Sequence, residues 1–293
     1  MPAVHIQHRT GRALGWRQRA AIGAFLALLL VGLLPGLVAA GGPVAGADVE
    51  HAATGKGPPA PAPIGYDVSY PQCDDVLPAN VAFGIVGVNR GIVFSPNPCL
   101  GAGNRPSQLA WAGTDAELYA NTGNPGPDVS SHWPVGQIEP RVCDAATPDS
   151  AGCAFDYGLN AAADSYATAV AAYVSLGWAD AGVTRTPVAN HWWLDVETAN
   201  SWRDDTSLNV AALQGAVAYL ESVDVASVGF YSAPRMWSRI TGDTDAFAGY
   251  RSWVAGASTL QGAQRNCRGD GFTRGGVELA QYFSGGFDAD HRC

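Results

Sequence analysis

The stretch at residues 188–202, VANHWWLDVETANSW, constrains the fold more than any other part of the chain. A strand turns successive side chains to opposite faces, so Trp193, Asp195 and Glu197 share one face while Trp192, Leu194 and Val196 share the other. Both faces are apolar until the acids begin. A strand of that kind needs cover on both sides, which is the condition of a parallel sheet in an α/β protein. The run ends in two carboxylates roughly 6–7 Å apart along the strand. They stand at its carboxyl end, where parallel barrels build their active sites. Asp-x-Glu by itself is common at the opening of a polar loop. A carboxylate beside an apolar run, however, costs free energy unless it is paired or used. The rings of Trp193 before it and Trp202 after it suit the apolar face of a sugar.

The rest of the chain supplies the other strands. Residues 64–70 (IGYDVSY) place Gly65, Asp67 and Ser69 on one face, and residues 83–88 (FGIVGV) form a fully apolar run. Further strands are expected at 117–120, 227–232 (SVGFYS), 252–255 (SWVA) and 277–283 (VELAQYF), the last with Val277, Leu279 and Gln281 on one face. Helical spacing marks 159–176, stopped by Gly177, and 208–223, with shorter helices after Ser107 and from Pro234. Strands alternating with helices imply parallel βαβ units. Few good helices follow the later strands. The expectation is therefore an α/β fold: one irregular TIM-like (β/α) barrel, with helices around its first half and short strands closing it. Residues 121–156, full of Pro and Gly, read as a long excursion pinned by Cys143 and Cys153, either flanking the cleft or merely inserted.

The fold is expected over residues 64–293. Residues 1–47 carry a basic start (Arg9, Arg12, Arg17, Arg19), an uncharged run at 20–40 and small-residue cleavage sites near Ala40 and Ala47, the pattern of a secretory signal peptide. An uncleaved anchor is the rival, since the run is just long enough to span, but Pro35 and Gly36 break it near its end. Residues 48–63 form a Pro/Gly/Ala-rich linker. From residue 64 onward there are 12 arginines, no lysine and 24 acids. That balance argues against a nucleic-acid backbone as partner and fits an extracellular protein kept soluble by its charge. All six cysteines (Cys73, Cys99, Cys143, Cys153, Cys267, Cys293) follow the signal, which implies three disulfides in an oxidising compartment. Local loop closure favours 73–99, 143–153 and 267–293 among the fifteen pairings. Without CxxC or HxxxH spacing, no metal or cofactor is expected. A serine nucleophile lacks its G-x-S-x-G setting. His191 reads as a core histidine, Arg90 as a surface arginine, and Trp111, Trp178 and Trp237 as packing residues.

Taken in order, Gly65-Tyr-Asp67-Val-Ser69, Trp193-Leu-Asp195-Val-Glu197, Tyr231-Ser232, Trp253-Val-Ala255 and Gln281-Tyr282 followed by Asp288 resemble glycoside hydrolase family 25. These are muramidases, or lysozymes, that cleave peptidoglycan on a TIM-like barrel, and the chain looks closest to a secreted bacterial branch. The resemblance implies that Glu197 is the general acid and that Asp195 stabilises the oxocarbenium-like centre or orients substrate. It implies that Asp67 shapes the site, that Asp288 (or Asp290) is the acid after the last strand, and that Tyr231, Trp253 and Gln281 line the cleft. Residues 121–156 have no counterpart in the family. The chemistry asks for the same groups: a carboxyl kept protonated by apolar walls and like charge, with an ionised group or a substrate acetamido group opposite. The expected function is a secreted, monomeric glycosidase of retaining type whose partner is peptidoglycan or a related amino-sugar polysaccharide. The alternatives are a catalytically inactive carbohydrate-binding module on the same barrel and, with less support, a surface protein using loop 121–156 to bind another protein.

Overall fold

The computed structural model describes residues 64–103, 105–178 and 186–293. The expected signal peptide (1–47) and linker (48–63) lie outside the described residues. Eight strands close into a barrel in sequence order: β1 (Ile64–Val68), β2 (Gly84–Gly87), β3 (Glu117–Asn121), β4 (His191–Asp195), β5 (Ser227–Ser232), β6 (Arg251–Ala257), β7 (Val277–Ser284) and β8 (Phe287–Arg292). Strands β1 to β7 run parallel, whereas β8 is antiparallel to both of its neighbours. The α/β barrel expected from the sequence is therefore the architecture found.

Two of its details differ from expectation. No α-helix covers the β1–β2 connection; helices α1 (Gln108–Ala112), α2 (Ala151–Ser175), α3 (Thr206–Ser222), α4 (Pro234–Thr241) and α5 (Leu260–Asn266) follow β2 to β6 instead. The helical cover thus lies around the middle of the barrel, not its first half. Residues 287–292 form a full strand where the sequence reading saw only a tail. Gly285 and Gly286 take φ of 64° and 92° in a two-residue hairpin, the conformation that glycine adopts at no steric cost. That hairpin returns β8 between β7 and β1.

Alternation along the strands makes two cores. Trp192, Leu194, Leu118 and Phe230 face outward beneath the helices, while Ile85, Trp193, Trp253 and Leu279 fill the barrel interior. The interior is crowded enough that a Cβ on Gly229 would lie 2.3 Å from the Trp193 ring. Helix α2 starts eight residues before the expected boundary, capped by Ser150, whose side chain accepts a hydrogen bond from the Cys153 amide. Its first turns contain Gly152 and Gly158, poor helix formers. Packing overrides that preference: Gly158 meets the Ala212 carbonyl, and Gly215 on α3 meets the Phe155 carbonyl, at separations that leave no room for a Cβ.

Disulfides join Cys73–Cys99, Cys143–Cys153 and Cys267–Cys293, the pairing that local loop closure favours, and no cysteine is free among the described residues. The first ties the loop after β1 to the loop after β2. The second pins the long excursion to the first turn of α2, and the third anchors the end of the chain to α5.

Candidate active site

The barrel mouth gathers five carboxyls from three strands and one loop. Asp67 lies near the end of β1, Asp195 ends β4, Glu197 follows two residues later, and Asp288 and Asp290 project from β8. Antiparallel pairing sets Asp67 opposite Asp288, and parallel pairing sets Asp195 between Asn121 and Tyr231. Glu197 and Asp67 are half-buried, Asp288 is exposed, and Asp195 and Asp290 are buried. Among the described residues, no arginine pairs with any of the five.

Neutral groups hold this cluster together. Tyr231 donates its hydroxyl proton to Gln281 Oε1 at 2.8 Å, and Gln281 Nε2 donates to Asp67 Oδ2 at 2.9 Å. Asn121 Nδ2 donates to Asp195 Oδ2, leaving Asp195 Oδ1 buried without a partner. One layer deeper, Trp253 Nε1 donates to Asp290 Oδ1 at 2.7 Å, and Asp290 faces Asp67. Beneath that, Trp193 Nε1 donates to Glu117 Oε2 at 2.6 Å, and Glu117 pairs with Arg292. The lower acid is thus neutralised by an arginine and the upper ones are not.

Burial, joined at all but Asp288 by repulsion from neighbouring acids, raises every acid at the mouth. Burial first, and then the charge of Asp288, push Asp67 up to about 7. Burial followed by the charges of Glu197 and Asp67 hold Asp195 well above the usual carboxylate range, against the opposing Asn121 hydrogen bond. Glu197 is raised by burial and then by Asp288, while Asp288 is raised by burial alone. Asp290 is held well up by burial and by Asp67. Acids so arranged cannot all ionise near neutrality, so at least one is available to donate a proton.

The structure therefore brings Asp67, Asp195, Glu197, Asp288, Tyr231 and Gln281 together. It does not bring the tryptophans to the surface as expected. Trp193 and Trp253 are 0% and 1% exposed, packed edge to face at 5.8 Å inside the barrel, so neither offers a ring to a sugar. Trp202 is half-buried against the outer core, and its Nε1 donates to the Glu197 carbonyl at 2.7 Å, fixing the turn that carries the acid. His191 stacks on Trp193 at 4.6 Å and shares a 2.6 Å hydrogen bond with Ser227, below the acids. Arg90 is exposed near the Tyr70 ring. Sequence reasoning missed Tyr119 and Asn121. Both lie on the inward face of β3 with Glu117, a placement that simple alternation from Glu117 would have found. Among the described residues, no group of three or more His, Cys, Asp or Glu side chains is arranged to hold a metal ion.

Comparison with known proteins bears on the same segment. A family model described as Lysozyme-like protein 1 matches residues 180–264, which include Asp195, Glu197, Tyr231 and Trp253. No curated protein matches. Among solved structures, a muramidase from Trichobolus zukalii is 17% identical with a TM-score of 0.45, covering 79% of this chain and 94% of its own. A muramidase from Acremonium alcalophilum is 15% identical with a TM-score of 0.44, covering 78% and 93%. A bacterial lysozyme from Streptomyces coelicolor is 14% identical with a TM-score of 0.42, covering 79% and 92%. Over the segment that carries its paired acids, the chain is similar to the lysozyme-like family model.

Proposed function

We propose that this protein is a secreted glycoside hydrolase that cleaves peptidoglycan or a related amino-sugar polysaccharide. The observation that carries the reading is the convergence of Asp67, Asp195, Glu197 and Asp288 at one barrel mouth, where no arginine among the described residues pairs with them. Glu197, half-buried and raised, donates its proton to the leaving glycosidic oxygen. As the bond to the anomeric carbon breaks, positive charge develops there and is stabilised by the ionised members of the cluster. Asp195, with one oxygen unpartnered and the other held by Asn121, is placed to orient the sugar. Water then adds to the anomeric carbon and returns its proton to Glu197. The convergence of the acids favours this reading over a binding module, whose carboxyls have no need to meet. The signal-like residues 1–47 and the three disulfides support secretion. No helix among the described residues is long and apolar enough to cross a membrane.

The test is release of reducing ends from purified cell walls. The Glu197→Gln variant is expected to lose about 10²–10⁴-fold in rate, the usual worth of a general acid. Equal release by variant and wild type would overturn the assignment.

A further inference from the structure

Two residues beyond Asp288 on the same face of β8, Asp290 lies below the rim and is closed to solvent. Across the sheet it stands opposite Gly65 on β1, which adds no side chain, and Gln281 on β7. Its Oδ1 accepts the Trp253 Nε1–H at 2.7 Å, while its Oδ2 is buried with no donor in reach. The carboxyl faces Asp67 within hydrogen-bonding distance, and Asp67 already accepts the Gln281 amide through its own Oδ2. Two ionised carboxylates have no proton to offer each other. No ion pair among the described residues includes either acid. The charges that bear on them are negative: Asp195, Glu197 and Asp288 around Asp67, and Glu117, itself paired with Arg292, beneath Asp290. Tyr119, Tyr231 and Tyr282, which also face the pair, are all raised by burial and stay neutral.

We propose that Asp290 keeps a proton throughout the reaction and donates it, as a hydrogen bond, to an ionised Asp67. A proton on Asp290 turns the stranded Oδ2 into a donor and removes a fully buried charge. The opposite placement, with Asp67 protonated, leaves a carboxylate at the closed position beside Glu117, with Trp253 as its donor. The half-buried rim position carries the charge at lower cost. Burial first, and then the charge of Asp67, hold Asp290 well above the usual carboxylate range; the hydrogen bond between the two raises it further while lowering Asp67. Asp67 thus accepts from two fixed donors, the Gln281 amide and the Asp290 carboxyl, and keeps its charge at the mouth, where the oxocarbenium-like centre forms. Asp290 touches no substrate and acts through Asp67, as a positioning residue. Its effect on the rate rests on the glycosidase reading; the proton itself does not.

The experiment compares full-length Asp290→Asn and Asp290→Ala with wild type. Asparagine keeps both interactions of a protonated aspartate, its oxygen accepting from Trp253 and its amide donating to Asp67; alanine keeps neither. The infrared difference spectrum of wild type against Asp290→Asn, taken at pH 8 where Asp67 is mostly ionised, is expected to show a protonated-carboxyl band that the variant lacks. On purified cell walls the ionised Asp67 sets the acid limb of the kcat/KM profile. Asp290→Asn is expected to keep the wild-type rate to within about three-fold, with that limb unmoved, because the donor remains. Asp290→Ala is expected to lose about ten-fold at pH 6, with the limb displaced about one unit to higher pH, because Asp67 loses a hydrogen bond to its ionised form. Absence of the infrared band, or a loss of about ten-fold or more in Asp290→Asn, would each overturn the proposal, and neither outcome depends on Asp290→Ala folding. The two readings fail separately. If Glu197→Gln digests walls as well as wild type, the hydrolase falls, while the infrared band still decides the proton. If digestion requires Glu197 but the band is absent, only the role of Asp290 falls.

Discussion

Individual side chains show what alternation along a strand reveals and what it leaves out. The period of two placed Trp193, Asp195 and Glu197 on one face, and that face is the barrel interior. Period alone says nothing of depth. Asp195 reaches the rim, whereas Trp193, two residues earlier, belongs to the layer below and packs against Trp253. The same offset hides Trp253 beneath the mouth. The acids stay at the rim at a cost in stability, and the sign of that cost is testable. With its folded pKa raised to about 7, Asp67 binds more protons in the folded state than in the unfolded chain between about pH 4 and pH 7. Its contribution is least unfavourable below pH 4. Stability falls as pH rises towards 7, by at most about 4 kcal/mol for this residue, and then levels off. Asp67→Asn keeps an acceptor for Gln281 and removes the charge. The variant is expected to melt higher than wild type at pH 7.5, with the difference shrinking at pH 4. A variant that melts lower at pH 7.5 would show that the ionised carboxylate is paired after all.

At the level of elements, the sequence was legible wherever local pattern and tertiary demand agreed. Helix α3 (Thr206–Ser222) begins two residues before the expected start and ends one residue before the expected end, because Asp205 caps it and its apolar spacing is regular. The first turns of α2 were not legible. AGCAFDYG has the composition of a loop, and only the partner helix explains why it coils: Gly158 on α2 and Gly215 on α3 let the two helices approach backbone to backbone. Strand β8 was hidden for the opposite reason. FDADHR is too polar to look like a strand, since its acids serve the site and its burial comes from closing the barrel. The helix contact gives a sharp expectation. A Cβ on Gly158 would lie 1.8 Å from the Ala212 carbonyl oxygen, so Gly158→Ala must push the helices apart. Denaturant unfolding is expected to show a loss of about 3 kcal/mol. A loss below about 1 kcal/mol, within the range of ordinary surface changes, would mean that the α2–α3 interface is looser than described.

For the whole molecule, the barrel acts by bringing together acids from β1, the β4 end and β8, which lie more than two hundred positions apart in the chain. Their titration is consequently a shared property, and a change on one strand should be read out on another. Asp288 is the test, because it stands on β8 and its charge helps raise Glu197 after β4. In the proposed reaction the protonated form of Glu197 does the work, so activity is expected to fall on the alkaline side as that proton is lost. Removing the Asp288 charge takes away part of the repulsion that favours the proton. The pKa of Glu197 then falls, and the alkaline limb of the kcat/KM profile on cell walls moves to lower pH in Asp288→Asn. A purely structural role for Asp288 predicts a lower rate with the limb unmoved. A limb displaced to higher pH would mean that Asp288 stabilises the ionised form of Glu197, and the electrostatic account of the mouth would have to be reversed.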